Sequence, residues 1–165
     1  MGRLTESTPT EPAVQPPLPV DATSADHSPT EVEIIAICRT AVGDALRSVI
    51  HFTRDDSELL YLRKDLYGDD RRRALEVKAN LVERERVGFT PYERYEPHAA
   101  GAGSDPALGD YEFTVRVFSD GFVCRVIVGA HGLLLTAEDL DVDRVEEVAV
   151  ALRGLVATAY GPSAA

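Results

Sequence analysis

The chain has 165 residues, enough for one domain and a tail, and 44% of them are hydrophobic, enough to build a core. Its 17 basic residues face 28 acidic ones, and the net charge of −11 disfavours binding to nucleic-acid phosphates and to anionic membrane surfaces. No apolar run is long enough to cross a bilayer and the N-terminus lacks the apolar centre of a secretory signal, so the sequence predicts a cytoplasmic protein.

Only Lys64 and Lys78 are lysines; the other basic residues are arginines, the usage of a GC-rich genome. Together with the acidity this points to a halophile, in which surface carboxylates keep a protein hydrated in concentrated salt. A GC-rich mesophile is the competing source. Cys38 and Cys124 form no spaced cluster, so there is no zinc motif. Each lies in an apolar run and reads as a small buried hydrophobe rather than half of a disulfide.

Residues 1–27 read as a disordered, Pro-rich acidic tail, since six of the ten prolines fall before residue 30. A passive tail explains them better than a tether or a proline-rich ligand. A single α+β domain is expected over 28–161. It opens on Ser28-Pro29-Thr30-Glu31, a capping box with proline at the first helical position. Ile34, Cys38, Ala41, Val42, Ala45 and Val49 follow at helical spacing, which places the helix end near Leu46 or Arg47.

Val49 to Thr53 and Leu59 to Leu62 are β-prone, and Asp55-Asp56 fits a two-residue turn between them. That register sets Ile50 opposite Tyr61, Phe52 opposite Leu59, His51 opposite Leu60 and Val49 opposite Leu62. Asp69 or Asp70 then caps a second helix over about Arg71 to Val87, with Gly88 as its stop. Lys78 and Glu85 fall inside its apolar arc, an anomaly for an amphipathic helix. A flexible insertion follows at about 89–110, read as ornament or as a lid carrying Tyr92, Tyr95 and His98.

The run "YEFTVRVFSDGFVCRVIVG" reads as strand, Asp120-Gly121 turn, strand. The two-residue turn pairs Val117 with Cys124, Val115 with Val126 and Phe113 with Val128, leaving one face wholly apolar. A turn at 129–132 and a strand from Leu133 to Ala137 complete a meander. Val145, Val148, Ala149, Leu152, Leu155, Val156 and Ala159 mark a last helix, started by Asp141 or Asp143 and stopped by Gly161-Pro162.

The order is thus α-β-β-α-β-β-β-α, a five-stranded antiparallel sheet with three helices. That element order resembles the roadblock/LC7-like and longin-like members of the profilin-like folds. A shared element order carries no function by itself.

Few residues look chemical. "GAHG" at 129–132 has neither dinucleotide-loop spacing nor a Walker lysine. No histidine among His27, His51, His98 and His131 stands three or four residues from another histidine or a cysteine, so no metal site and no cofactor are predicted. His131 reads as a turn residue tolerating positive φ, and His51 as a strand residue. Cys124 points into the core and lacks the electropositive setting of a nucleophile. The pairs Asp55-Asp56, Asp69-Asp70 and Glu146-Glu147 are accounted for by a turn, a cap and a solvated helix face, and Arg71 to Arg73 by a solvated patch.

One feature stands out. In the predicted hairpin Arg116 lies directly opposite Arg125, and like charges opposite one another are destabilising. Glu112, carboxylates of the second helix, an anion or a partner chain are the candidates to neutralise them. The strand Tyr111–Phe118 would form a sheet edge, which invites pairing. A homodimer through this strand and the second helix follows as an expectation, with Tyr111, Phe113, Arg116 and Arg125 at the interface.

The stretches "LRSVIHFTRDDSELLYLRKDLYGDD" and "GDYEFTVRVFSDGFVCRVIV" resemble a family of small haloarchaeal proteins of unknown function, over about Val32 to Leu140. The resemblance implies a single domain and supplies no site residues. It leaves Tyr61, Arg63 and Asp65 as a candidate interaction patch. The favoured function is a non-catalytic interaction or regulatory module, not an enzyme, with a protein partner or a second copy as its target. The alternative is a small-ligand sensor, with a pocket between the sheet and the 89–110 loop.

Overall fold

The computed structural model describes residues 27–89, 111–139 and 141–161. The predicted tail before His27 and nearly all of the predicted insertion lie outside them. The expected element order is the one observed. Helix α1 spans Pro29–Val42, strands β1 and β2 span Leu46–Phe52 and Ser57–Leu62, and α2 spans Arg71–Arg86. Strands β3, β4 and β5 span Phe113–Phe118, Gly121–Val128 and His131–Ala137, and α3 spans Val142–Tyr160. One antiparallel sheet holds the strands in the order β2-β1-β5-β4-β3, so the edges are β2 and β3.

The start of α1 is as the sequence predicts. The Ser28 side chain accepts from the Glu31 backbone, and the Glu31 carboxylate accepts from Ser28 N at 2.7 Å. The helix ends earlier than expected, at Val42. Gly43 adopts a φ of 63°, which a side chain resists, and its N–H closes back on the Arg39 carbonyl. A single 3-10 turn, Gly43–Ala45, then feeds β1, so Ala45 and Val49 leave the helical stripe and Val49 joins the sheet. At the other helix starts, Asp70 accepts from Arg73 N and Asp141 from Asp143 N.

Both hairpins differ from expectation in register. The first has a four-residue loop, Thr53–Asp56, in which Thr53 N donates to the Asp56 carbonyl and Asp56 N to the Thr53 hydroxyl. Ile50 therefore faces Leu59, and His51 faces Glu58. A bulge between Val49 and Ile50 takes up the extra residue, and Val49 faces Tyr61. The second turn is Ser119-Asp120, not Asp120-Gly121. Val115 faces Cys124, Phe113 faces Val126, Arg116 faces Val123 and Arg125 faces Thr114. Gly121 instead opens β4, where a Cβ would stand 2.6 Å from the Ala137 carbonyl oxygen of β5.

Helices α1 and α3 cover one face of the sheet, burying Ile34, Cys38, Val148, Leu152 and Val156 against Val49, Leu60, Cys124 and Leu135. On the other face α2 sets Leu75 and Val82 over Ile50, Val123, Ile127 and Leu134. Fully buried side chains of this size contribute about 1.5–3 kcal/mol each. Of the predicted α3 stripe only Ala159 is exposed, and Leu155 is half-buried. Phe89, placed in the insertion by sequence, belongs to the core: it is 1% exposed and meets Phe52 edge-on at 5.4 Å between ring centroids.

Candidate interaction site

Strand β3 pairs only with β4 among the described strands. Burial falls along it, from half-buried Phe113 to Val117 and Phe118, which are 71% and 57% exposed. Its alternation puts Thr114 and Arg116 on the α2 face, beside Arg125 of β4.

The charge problem posed by Arg116 and Arg125 is solved from α2. The two arginines are not cross-strand partners; both converge on Glu85, itself 2% exposed. Arg125 Nη1 lies 2.8 Å from Glu85 Oε2, and Arg116 Nε lies 3.3 Å from Oε1. Arg125 Nη2 also donates to the Thr114 hydroxyl at 3.3 Å, and that hydroxyl is 2.6 Å from the Tyr111 hydroxyl. Glu112 turns elsewhere, to Arg153 of α3 at 4.0 Å. The structure thus brings Tyr111, Arg116 and Arg125 into one network and sets Phe113 on the opposite face, against the α1–α3 core. Arg125 is buried and supports this surface from behind, whereas the Arg116 side chain is half exposed. Gly88, just past α2, leaves room for the Arg125 guanidinium, which a Cβ would strike.

Glu85 fixes the rotation of α2. Arg86, one residue on, donates from the other flank to the Thr53 carbonyl at 3.0 Å. At 100° per residue, half-buried Leu81 and exposed Val77 lie on the β3 side of the helix.

Tyr61, Arg63 and Asp65 also come together, with Arg39, Gly43 and Asp44, around an open groove of about 490 Å³. Arg63 is occupied within the chain. It donates to Asp65 at 2.6 Å and to the Asp44 carbonyl at 2.9 Å, and it pairs with Glu138, which also holds Arg47 at 3.0 Å. Its hydrogen bonds hold the Asp65 and Glu138 carboxyls below their usual range. The groove therefore shows a role for Arg63 in joining the ends of β2 and β5.

Lys78, the second anomaly of α2, is 4% exposed over the sheet. Its Nζ lies 3.5 Å from the Thr136 hydroxyl, which bonds the Ser48 hydroxyl at 2.6 Å, and 5.8 Å from the Tyr67 ring centre. No carboxylate pairs with it among the described residues. Burial, reinforced by the nearby Arg47 charge, lowers its pKa to about 8. Cys38 and Cys124 are free and buried, and burial pushes both thiols up to about 12.

His51 and His131, unrelated by spacing, meet at one end of the sheet. His51 Nε2 is 3.0 Å from His131 Nδ1, and the rings stack at 5.3 Å. Tyr160 stacks on both, at 5.1 and 4.4 Å. Burial lowers both histidine pKa values, and His131 lowers that of His51 further. His131 opens β5 and has no positive φ; Gly129 takes that role, at 58°. Close by, the first turn of α1 and the start of β2 bring donor atoms of His27, Glu31 and Glu58 within 4.8 Å of one another. His98, Tyr92 and Tyr95 lie outside the described residues, as does the sensor pocket predicted around the tyrosines.

The architecture among the described residues is the α+β arrangement anticipated, a five-stranded antiparallel sheet with three α-helices. Residues 32–157 match the family described as a domain of unknown function, DUF7522, and the chain belongs to that family. No curated protein matches the chain in sequence. Among solved structures, Myxococcus xanthus MglB is similar over 80% of this chain and 90% of its own, at 12% identity and a TM-score of 0.46. An MglB in a tetrameric arrangement is similar over 82% and 96%, at 15% identity and 0.44. The gliding protein MglB of Thermus thermophilus is similar over 85% and 100%, at 14% identity and 0.42.

Proposed function

We propose that the chain is a non-catalytic interaction module of a salt-adapted cytoplasm, and that it acts by pairing with a second copy of itself along β3 and the adjoining flank of α2. The observation that carries this reading is β3 itself. It is a regular six-residue strand whose second ladder side is unpaired among the described strands, with two large apolar side chains, Val117 and Phe118, exposed. Antiparallel pairing of two such edges is self-complementary and closes a two-fold dimer.

Tyr111, Phe113 and Arg116 stand at the seam in this arrangement, and Arg125 holds Glu85 in place behind it. Glu85 leaves Arg116 partly neutralised, so two copies of the guanidinium can approach without full repulsion. Val77 and Leu81 extend the apolar surface onto α2.

Light scattering in molar KCl tests the proposal. The wild-type chain should run at twice its monomer mass at tens of micromolar. Val117→Asp, an exposed substitution, should run as a folded monomer, melting where the wild type melts at concentrations low enough to dissociate it. A wild-type monomer at that concentration, or a Val117→Asp dimer, would overturn it.

A further inference from the structure

We infer that His27, Glu31 and Glu58 form a binding site for one divalent first-row transition ion, clasping the chain just ahead of α1 to strand β2. His27 and Glu31 stand four residues apart across the start of α1, and Glu58 enters from β2 on the sheet face that α1 covers. Their donor atoms all lie within 4.8 Å of one another, close enough for small movements to bring them round one ion.

Several observations mark this group as more than a chance meeting of surface charges. The capping bond from Ser28 N holds Glu31 Oε2 in place, so one ligand is positioned before any ion arrives. Glu58 is half-buried, and no arginine or lysine pairs with either carboxylate among the described residues. Two carboxylates brought together without a basic partner repel, and a dication relieves that repulsion. His27 Nδ1 faces Glu31 Oε2 at 3.5 Å. Nδ1, the ring nitrogen on the carboxylate side, is the atom placed to ligate.

The donor set selects the ion class. One imidazole and two carboxylates suit zinc, manganese or cobalt, whereas magnesium and calcium favour oxygen-only shells. Three protein ligands leave at least one position for water or a further donor. His51, opposite Glu58 on the ladder, and the His131–Tyr160 stack wall the site from the sheet side. An ion here joins the end of the N-terminal segment to the β2 edge of the sheet, the edge opposite β3.

The test is calorimetric titration of the chelator-stripped full chain with zinc, alongside the absorption spectrum of the cobalt form. One ion per chain is expected, with a rise in melting temperature and cobalt bands of low-symmetry N,O coordination. Glu58→Gln and His27→Gln should each weaken zinc at least tenfold, while Asp120→Asn at the β3–β4 turn leaves it unchanged. Circular dichroism of the metal-free variants confirms that they fold, since neither substitution removes the Ser28–Glu31 cap. No binding at submillimolar zinc would overturn the inference. So would binding that both substitutions leave intact, which places the ion elsewhere on the acidic surface.

Discussion

Arg125 and Glu85 form an ion pair at 2.8 Å with both side chains almost wholly withdrawn from water. The pair ties β4 to α2 and sets the position from which Glu85 reaches Arg116 on the edge strand. Removing one partner of a buried pair leaves a buried charge uncompensated, which costs about 3–5 kcal/mol. Glu85→Ala should therefore lower the unfolding free energy by about that amount in urea titrations. The double replacement Glu85→Leu with Arg125→Met should be far milder, because it leaves no orphan charge. The exposed pair Arg72–Glu76 supplies the contrast: Arg72→Ala should cost under about 1 kcal/mol.

Lys78 makes a prediction about pH. Its folded pKa, about 8, lies below the ordinary lysine value of 10.5, so between those limits the unfolded chain binds the extra proton. The contribution of Lys78 to stability therefore rises as pH increases through that window, and its cost is constant below it. At about 1.4 kcal/mol per pKa unit, the full cost is of order 3 kcal/mol. Lys78→Met should raise stability near neutral pH by up to that amount, and the gain should fade toward pH 10.5. Denaturation of both proteins across this range reads the difference directly, and the difference cancels the titration of the two thiols common to both.

The thiols give a third expectation. Cys38 and Cys124 are at most 1% exposed, and burial disfavours both thiolates. A thiol reagent at neutral pH should find neither in the native protein and both on unfolding in denaturant. Rapid reaction of either in the folded state would contradict the described core.

Local signals carry most of the fold into the sequence. The Ser28 box, the stripe of the last helix and the two hairpins each depend on residues a few positions apart, and each is legible. What escapes the sequence depends on contacts between distant segments. Asp120-Gly121 looks like a hairpin turn, but Gly121 is required by the approach of the Ala137 carbonyl from β5, and nothing near Gly121 in sequence announces that. The resulting slip of two residues preserves the side-chain alternation. Cys124 therefore points inward in either register, whereas Arg116 stands opposite Arg125 only in the predicted one. Helical spacing overextends the first helix because Ala45 and Val49 happen to continue it through a glycine that breaks it.

The polar groups follow the same logic. Lys78 and Glu85 are visible as anomalies within an apolar arc, yet their partners lie on β3, β4, β5 and the connection before α2. The His27–Glu31 spacing is readable, but a search confined to histidines and cysteines passes over it, and Glu58 comes from another element. The exposed edge is legible as a strand at the end of a meander, whereas the way its arginines are neutralised requires α2 to be placed.

The central claim, pairing of two copies along β3, is tested most directly by amide hydrogen exchange of that strand as a function of protein concentration. In the monomer, β3 amides that do not bond to β4 exchange freely. The account predicts that they become protected as concentration rises, that amides of the other edge strand, β2, do not, and that Val117→Asp abolishes the change. Concentration-independent exchange throughout β3, at concentrations where the chain is associated, would contradict it.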